Sequence, residues 1–194
     1  MKNDFSDNNG GYSLVELLIV MAIIAVLAAA ALLSYTMIHS ARAKDAAIKV
    51  GSEVNALKSK CMNMTPGDGV HSYYALMLYT DTDGQDTPHI CLVQYNDGTN
   101  SFDEVPDEDY NLSSSVKIEF TGSCRGVGSS GIWNMSNYVP GHKNGTTEAT
   151  TPVYICFDKR GNCYSGYGEY DFSKSNGTTV AHVNIGMNGS VSVR

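Results

Sequence analysis

From Leu17 to Leu33 the chain contains no polar residue, and between Tyr12 and Leu33 the one charge is Glu16. A helix over those 22 residues rises roughly 33 Å at 1.5 Å per residue, enough to cross the hydrocarbon core of a bilayer. Leu, Ile, Val, Met and Ala fill the run, and neither Gly nor Pro breaks it. A globular-core helix keeps one polar side, whereas this segment is apolar all round, so it is expected to enter a membrane.

The pattern then changes to one stripe. Ile38, Ala41, Asp45 and Ile48, followed by Val50, Val54, Leu57 and Cys61, recur mostly at three- and four-residue steps, with Arg42, Lys44, Lys49, Glu53, Lys58 and Lys60 between them. Thr65-Pro66-Gly67-Asp68-Gly69 is a stop signal. One helix from about Ser13 to Asn63 is therefore expected, roughly 75 Å long. Its second half should lay its stripe on a head domain.

Beyond the helix the period falls to two. Val116, Ile118 and Phe120 alternate with polar residues, as do Val153, Ile155 and Phe157, then Ala181, Val183 and Ile185, then Val191 and Val193. Asp158 to Asn162 and Met187-Asn188-Gly189 separate such runs as hairpin turns do. His89 to Tyr95 reads as a strand, and Ser72 to Tyr79 as a short helix or strand. Asp103 to Asp109 reads as a hydrated acidic loop, and Gly122 to Thr151 as a long Gly/Ser/Asn-rich exposed loop. The fold class expected is α+β, a long N-terminal helix carrying an antiparallel β-sheet head.

Glu16 is the feature that a bare anchor does not explain. An acid inside a membrane span costs a few kcal/mol, so it needs a cationic partner. Cutting after Gly11 would supply one: the new α-amino group of Tyr12 would lie one helical turn from Glu16, in the same chain or in a neighbour. Paired between chains and repeated, that contact would set the register of a helical filament.

The segment Gly11-Tyr12-Ser13-Leu14-Val15-Glu16, with its short polar leader and apolar helix, resembles the class III signal of type IV pilins and type II secretion pseudopilins. The resemblance implies cleavage after Gly11, N-methylation of Tyr12 by a prepilin peptidase/N-methyltransferase, and Glu16 as the assembly glutamate. It implies residence in the lipid bilayer with the N-terminus cytoplasmic. Inner-membrane assembly machinery would then move the chain into a polymer of pilin subunits, an extracellular pilus or a periplasmic pseudopilus. The organisation expected is leader 1–11, membrane or filament-core half-helix 12–34, amphipathic half-helix 35–64 and β-rich head 65–194. Two features depart from the family pattern: Asp4 and Asp7 outweigh Lys2 in the leader, which is usually basic, and Leu33 stands where many members have a helix-bending proline. The second predicts a straighter helix. Gly189 to Arg194, with Tyr154 to Gly161, is more loosely similar to the last strands of H-type minor pseudopilins.

Charge narrows the partners. The formal net charge is -7, and removal of Lys2, Asp4 and Asp7 with the leader makes it -6, which argues against general nucleic-acid binding. Lys159, Arg160 and Arg194 are the only basic candidates for DNA carried over from the minor-pilin likeness, and solvated turn charge is the commoner role. Of the five cysteines, Cys156 and Cys163 flank a hairpin and form the first candidate disulfide; Cys61 with Cys91 forms the second, leaving Cys124 odd. Asp81, Asp83 and Asp86 with Gly84 resemble the first half of a calcium loop without its closing Glu. Otherwise no cofactor or structural metal is expected, and the five histidines are scattered. Nucleophile, metalloprotease and phosphate-loop motifs are absent from the sequence. An assembly protein, not an enzyme, accounts for the chain; the alternative is a membrane-tethered extracytoplasmic binding module that never polymerises.

Overall fold

The computed structural model describes residues 13–63, 74–81, 87–96, 101–125, 132–138 and 152–194, apart from the side chains of Asp81, Ser101, Ile132, Trp133 and Asn137. Helix α1 runs through Leu14–Asn63, 50 residues with no break. Contacts divide the chain into two compact units, 1–38 and 39–194. In the first, every described residue is solvent-exposed. The stop signal at Thr65 to Gly69 lies outside the described residues.

In the second unit the helix buries Ala43, Ala46, Ala47, Val50, Gly51, Val54, Leu57 and Cys61. These positions keep the three- and four-residue spacing of one helical face. The stripe expected from sequence is right from Val50 onward and wrong before it: Ile38 and Ile48 are 51% and 59% exposed, and Ala41 and Asp45 are exposed too. The buried face continues backward through alanines instead. Ala43, Ala46 and Ala47 are covered while Ile38 and Ile48 face out, so hydrophobicity alone does not pick the packed face.

Among the described residues ten strands follow: β1 Tyr74–Asp81, β2 Thr87–Asn96, β3 Ser101–Asn111, β4 Val116–Arg125, β5 Ile132–Tyr138, β6 Val153–Phe157, β7 Cys163–Ser165, β8 Tyr167–Lys174, β9 Thr179–Ile185 and β10 Val191–Val193. They form two five-stranded sheets, ordered β3-β2-β1-β6-β7 and β10-β9-β8-β4-β5. The pairs are antiparallel. The main core joins the helix face to Leu76, Leu78, Ile90, Leu92, Val153, Ile155 and Phe157 of the first sheet. From the second it takes Ile118, Phe120, Tyr170, Phe172, Val183 and Ile185. The alternate residues of the first sheet, Ala75, Met77, Tyr79, Cys91, Val93 and Cys156, make a smaller cluster on its other face. That sheet is apolar on both sides, which is why β1 and β2 do not alternate cleanly in sequence.

Both expected hairpin turns form. Gly161 (φ 82) and Gly189 (φ 73) supply the left-handed residues, and Gly161 N–H donates to Asp158 O at 2.9 Å as Gly189 N–H does to Gly186 O at 2.8 Å. Lys58 of the helix donates to Gly189 O at 2.8 Å.

One expected loop and the described parts of another are strands; residues 126–131 and 139–151 of the second lie outside the described residues. Asp103 to Asp109 belongs to β3, an edge strand paired with β2. An edge tolerates charge and proline because half its backbone faces water. The excess residues leave the ladder in a bulge: Cys91 pairs with Asp109 while Val93 pairs with Glu104, and Asp107 has φ 63 within it. Gly122 to Arg125 ends β4 and Ile132–Tyr138 is β5, its hairpin partner. Polar composition concealed that pairing, since β5 also lies at a sheet edge.

Leu57→Ala is expected to cost about 2–5 kcal/mol, as a buried leucine truncation does, whereas Ile48→Ala should stay within about 0.5 kcal/mol. Urea unfolding of the detergent-solubilised chain checks both.

Candidate functional site

The residues singled out from sequence lie at the start of α1, at its far end, and on the two sheets with their turns. Glu16 lies in the first turn of α1, where Leu17 N–H donates to Ser13 O at 3.1 Å. A carboxylate in a first turn faces the positive end of the helix dipole. Behind it the surface is apolar all round: Leu14 is 81% exposed, Leu18 62%, Met21 63% and Leu27 64%. A continuous apolar surface of this kind requires lipid or neighbouring helices to cover it. Within its apolar length, Glu16 alone can form an ion pair.

This combination of a helix-initiating acid and an exposed apolar span is matched, over residues 6–32, by the family described as the prokaryotic N-terminal methylation motif. The chain carries that motif. No curated protein and no solved structure matches it. The motif is that of type IV pilin-like, prepilin-processed proteins, and implies handling by a prepilin peptidase and assembly with pilin-type subunits in general. With the apolar helix it fits anchoring in the inner membrane before assembly. Gly11 and Tyr12, the expected cleavage and methylation positions, lie within the matched range and outside the described residues.

The structure separates the other residues singled out from sequence. All five cysteines are buried and none is bonded to another. Cys163 lies in the main core while Cys156 lies in the smaller cluster, and Cys61 and Cys91 are divided in the same way. Each expected disulfide would have to pass through the first sheet. A hairpin flanked by two cysteines does not say which face each one takes, and here Cys156 and Cys163 take opposite faces. Cys124 Sγ instead lies 3.5 Å from Ser165 Oγ, and Cys163 Sγ donates to Ser165 O at 3.1 Å.

The candidate calcium residues are not assembled by what is described. Asp81 ends β1 opposite Thr87, and Asp83 and Asp86 lie outside the described residues. Lys159 and Arg160 occupy the β6–β7 turn, while Arg194 follows β10 in a cleft shared with Glu169 and His182. A carboxylate beside that arginine opposes a phosphate backbone.

One polar group missed in sequence ties the first sheet together. Asp109 of β3 accepts from Tyr79 O–H of β1 at 2.9 Å, lies 3.4 Å from His89 Nδ1 of β2, and the Tyr79 and His89 rings stack at 4.9 Å. Burial, then the Asp109 hydrogen bond, raises the Tyr79 hydroxyl far above its usual range and keeps it a donor. The signal in sequence was a tyrosine, a histidine and an aspartate on three successive strands, legible only once β3 is recognised as a strand.

Burial pushes the Cys163 thiol up to about 12, the Cys156 thiol well above its ordinary 9.0, and the Tyr154 phenol up to about 12. Each is raised on folding, so its stability contribution is intact below the unfolded pKa and is lost as pH rises through the folded one. Alkaline titration should therefore lower the melting temperature progressively above pH 9. At pH 8, below the ordinary thiol value, iodoacetamide should label none of the five cysteines in the native protein. Mass spectrometry should find all five labelled after guanidinium.

Proposed function

We propose that the protein is a structural, non-enzymatic subunit of a type IV pilus-like filament, a pilin or secretion pseudopilin. On this reading it is cut after Gly11, methylated on Tyr12 and polymerised through bundled α1 helices. The observation that carries the proposal is the join between the methylation motif at 6–32 and an exposed apolar helix whose one charge is Glu16. A membrane anchor alone has no use for that acid, since insertion penalises it by a few kcal/mol. A neighbouring subunit's α-amino group offsets the penalty and fixes the axial register.

The head suits export and assembly. In its β-rich unit the acids of β3 lie on an edge strand and Glu119, Glu169 and Asp171 on the outer face of the second sheet, while the amphipathic part of α1 is held to the core. The subunit would stay single-pass in the inner membrane until partner machinery extracts it.

Intact and N-terminal peptide mass spectrometry on membrane and sheared-surface fractions should find a mature chain beginning at N-methyl-Tyr12. A chain beginning at Met1 in every fraction would overturn the proposal. Glu16→Ala should insert normally yet disappear from sheared filaments; undiminished incorporation would mean that the carboxylate does not direct assembly.

A further inference from the structure

The outer face of the second sheet carries an ordered row of ionisable side chains. Glu119 of β4 pairs with Asp171 of β8, Asp171 pairs with His182 of β9, and His182 exchanges two backbone hydrogen bonds of 2.9 Å with Arg194. In the next row Glu169 pairs with Asn184, and Asn184 with Ser192. Alternation puts these side chains opposite Tyr170, Phe172, Ala181 and Val183, whose burial in the core holds β8 and β9 in place.

His182 Nδ1 lies 2.6 Å from Asp171 Oδ1 and 3.5 Å from Glu169 Oε1. One ligand atom from each of Glu169, Asp171 and His182 lies within 4.8 Å of the other two, and among the described residues no other trio of His, Cys, Asp and Glu meets this condition. Glu169, His182, Asn184, Ser192 and Arg194 also line a cleft of about 400 Å³.

We propose that Glu169, Asp171 and His182 form a binding site for a divalent transition-metal ion, with zinc the best chemical match. A single imidazole N–H serves one carboxylate well, here Asp171, and leaves Glu169 beside a like charge. A dication replaces that repulsion with three attractive bonds. The imidazole nitrogen disfavours calcium and magnesium, which take oxygen ligands, whereas a mixed nitrogen and carboxylate set suits zinc. Donor atoms on a tetrahedral zinc sit roughly 3.4 Å apart, from bond lengths of about 2.1 Å, so small side-chain rotations bring the trio into place.

The surroundings define the rest of the site. Glu119 is held away by Lys117 at 2.8 Å. Asn184 and Ser192 line the cleft beside Glu169 and His182, and a tetrahedral zinc held by three protein ligands keeps a fourth position for another donor. Arg194 brings a positive charge to the same cleft, which favours water or an anion at that position over a second cation.

The test is isothermal titration of the metal-stripped, full-length chain in detergent with zinc chloride, and separately with calcium chloride. One zinc per chain is expected, with weaker binding of calcium. His182→Gln and Asp171→Asn, both close in shape to the residue replaced, should each weaken zinc at least roughly 10- to 100-fold, while Lys159→Ala leaves it unchanged. Unaltered melting temperatures of the metal-free variants would assign the loss to the ligands. No saturable zinc binding, zinc binding undiminished from the unsubstituted chain in either ligand variant, or tighter binding of calcium would each overturn the proposal. The outcome does not depend on whether the chain polymerises.

Discussion

A single helix has to satisfy two different surroundings, and the rest of the structure depends on how it does so. From Leu17 to Leu33 its side chains are apolar on every side and exposed. From Ala43 onward it buries one face. The first half has value only where lipid or other helices replace water, because apolar area left in water forgoes roughly 25 cal/mol per Å². The second half is stabilised by its own chain. One acid, Glu16, marks the start of the first regime, and a run of alanines marks the start of the second.

The buried face of the helix opens on small side chains. Ala43, Ala46 and Ala47 begin it, and Val50, Val54 and Leu57 continue it into the same core. Lysines on the flanks hold the seam: Lys58 reaches the β9–β10 turn, Lys49 lies 4.0 Å over the Tyr110 ring, and Lys60 lies 4.4 Å over Tyr74. Exposed contacts of this kind contribute about 0.5–1 kcal/mol each, less than one buried leucine. They position the seam more than they stabilise it.

The two sheets divide the chemistry. The first is apolar on both faces, so its cysteines are shut away on opposite sides and its polar groups, Tyr79, His89 and Asp109, satisfy one another. The second sheet is apolar inward and ionisable outward, and its register gathers Glu169, Asp171 and His182 at one spot. The smaller cluster is the part of the fold that period-two reasoning anticipated least, because a strand buried on both faces shows no alternation.

By itself the sequence determined the long helix, the hairpin turns at Gly161 and Gly189, the alternating strands of the second half and the methylation motif with Glu16. These are local signals: 3.6-residue and two-residue periods, glycine in left-handed turns, and a charge inside an apolar run. Only the tertiary structure decided which cysteines share a face, that Asp103 to Asp109 pairs as an edge strand, and that alanines rather than isoleucines carry the helix seam. It also brought Asp171 and His182 together from eleven residues apart. Each of those outcomes depends on pairing register and close approach between distant segments, and no period along a single strand encodes either.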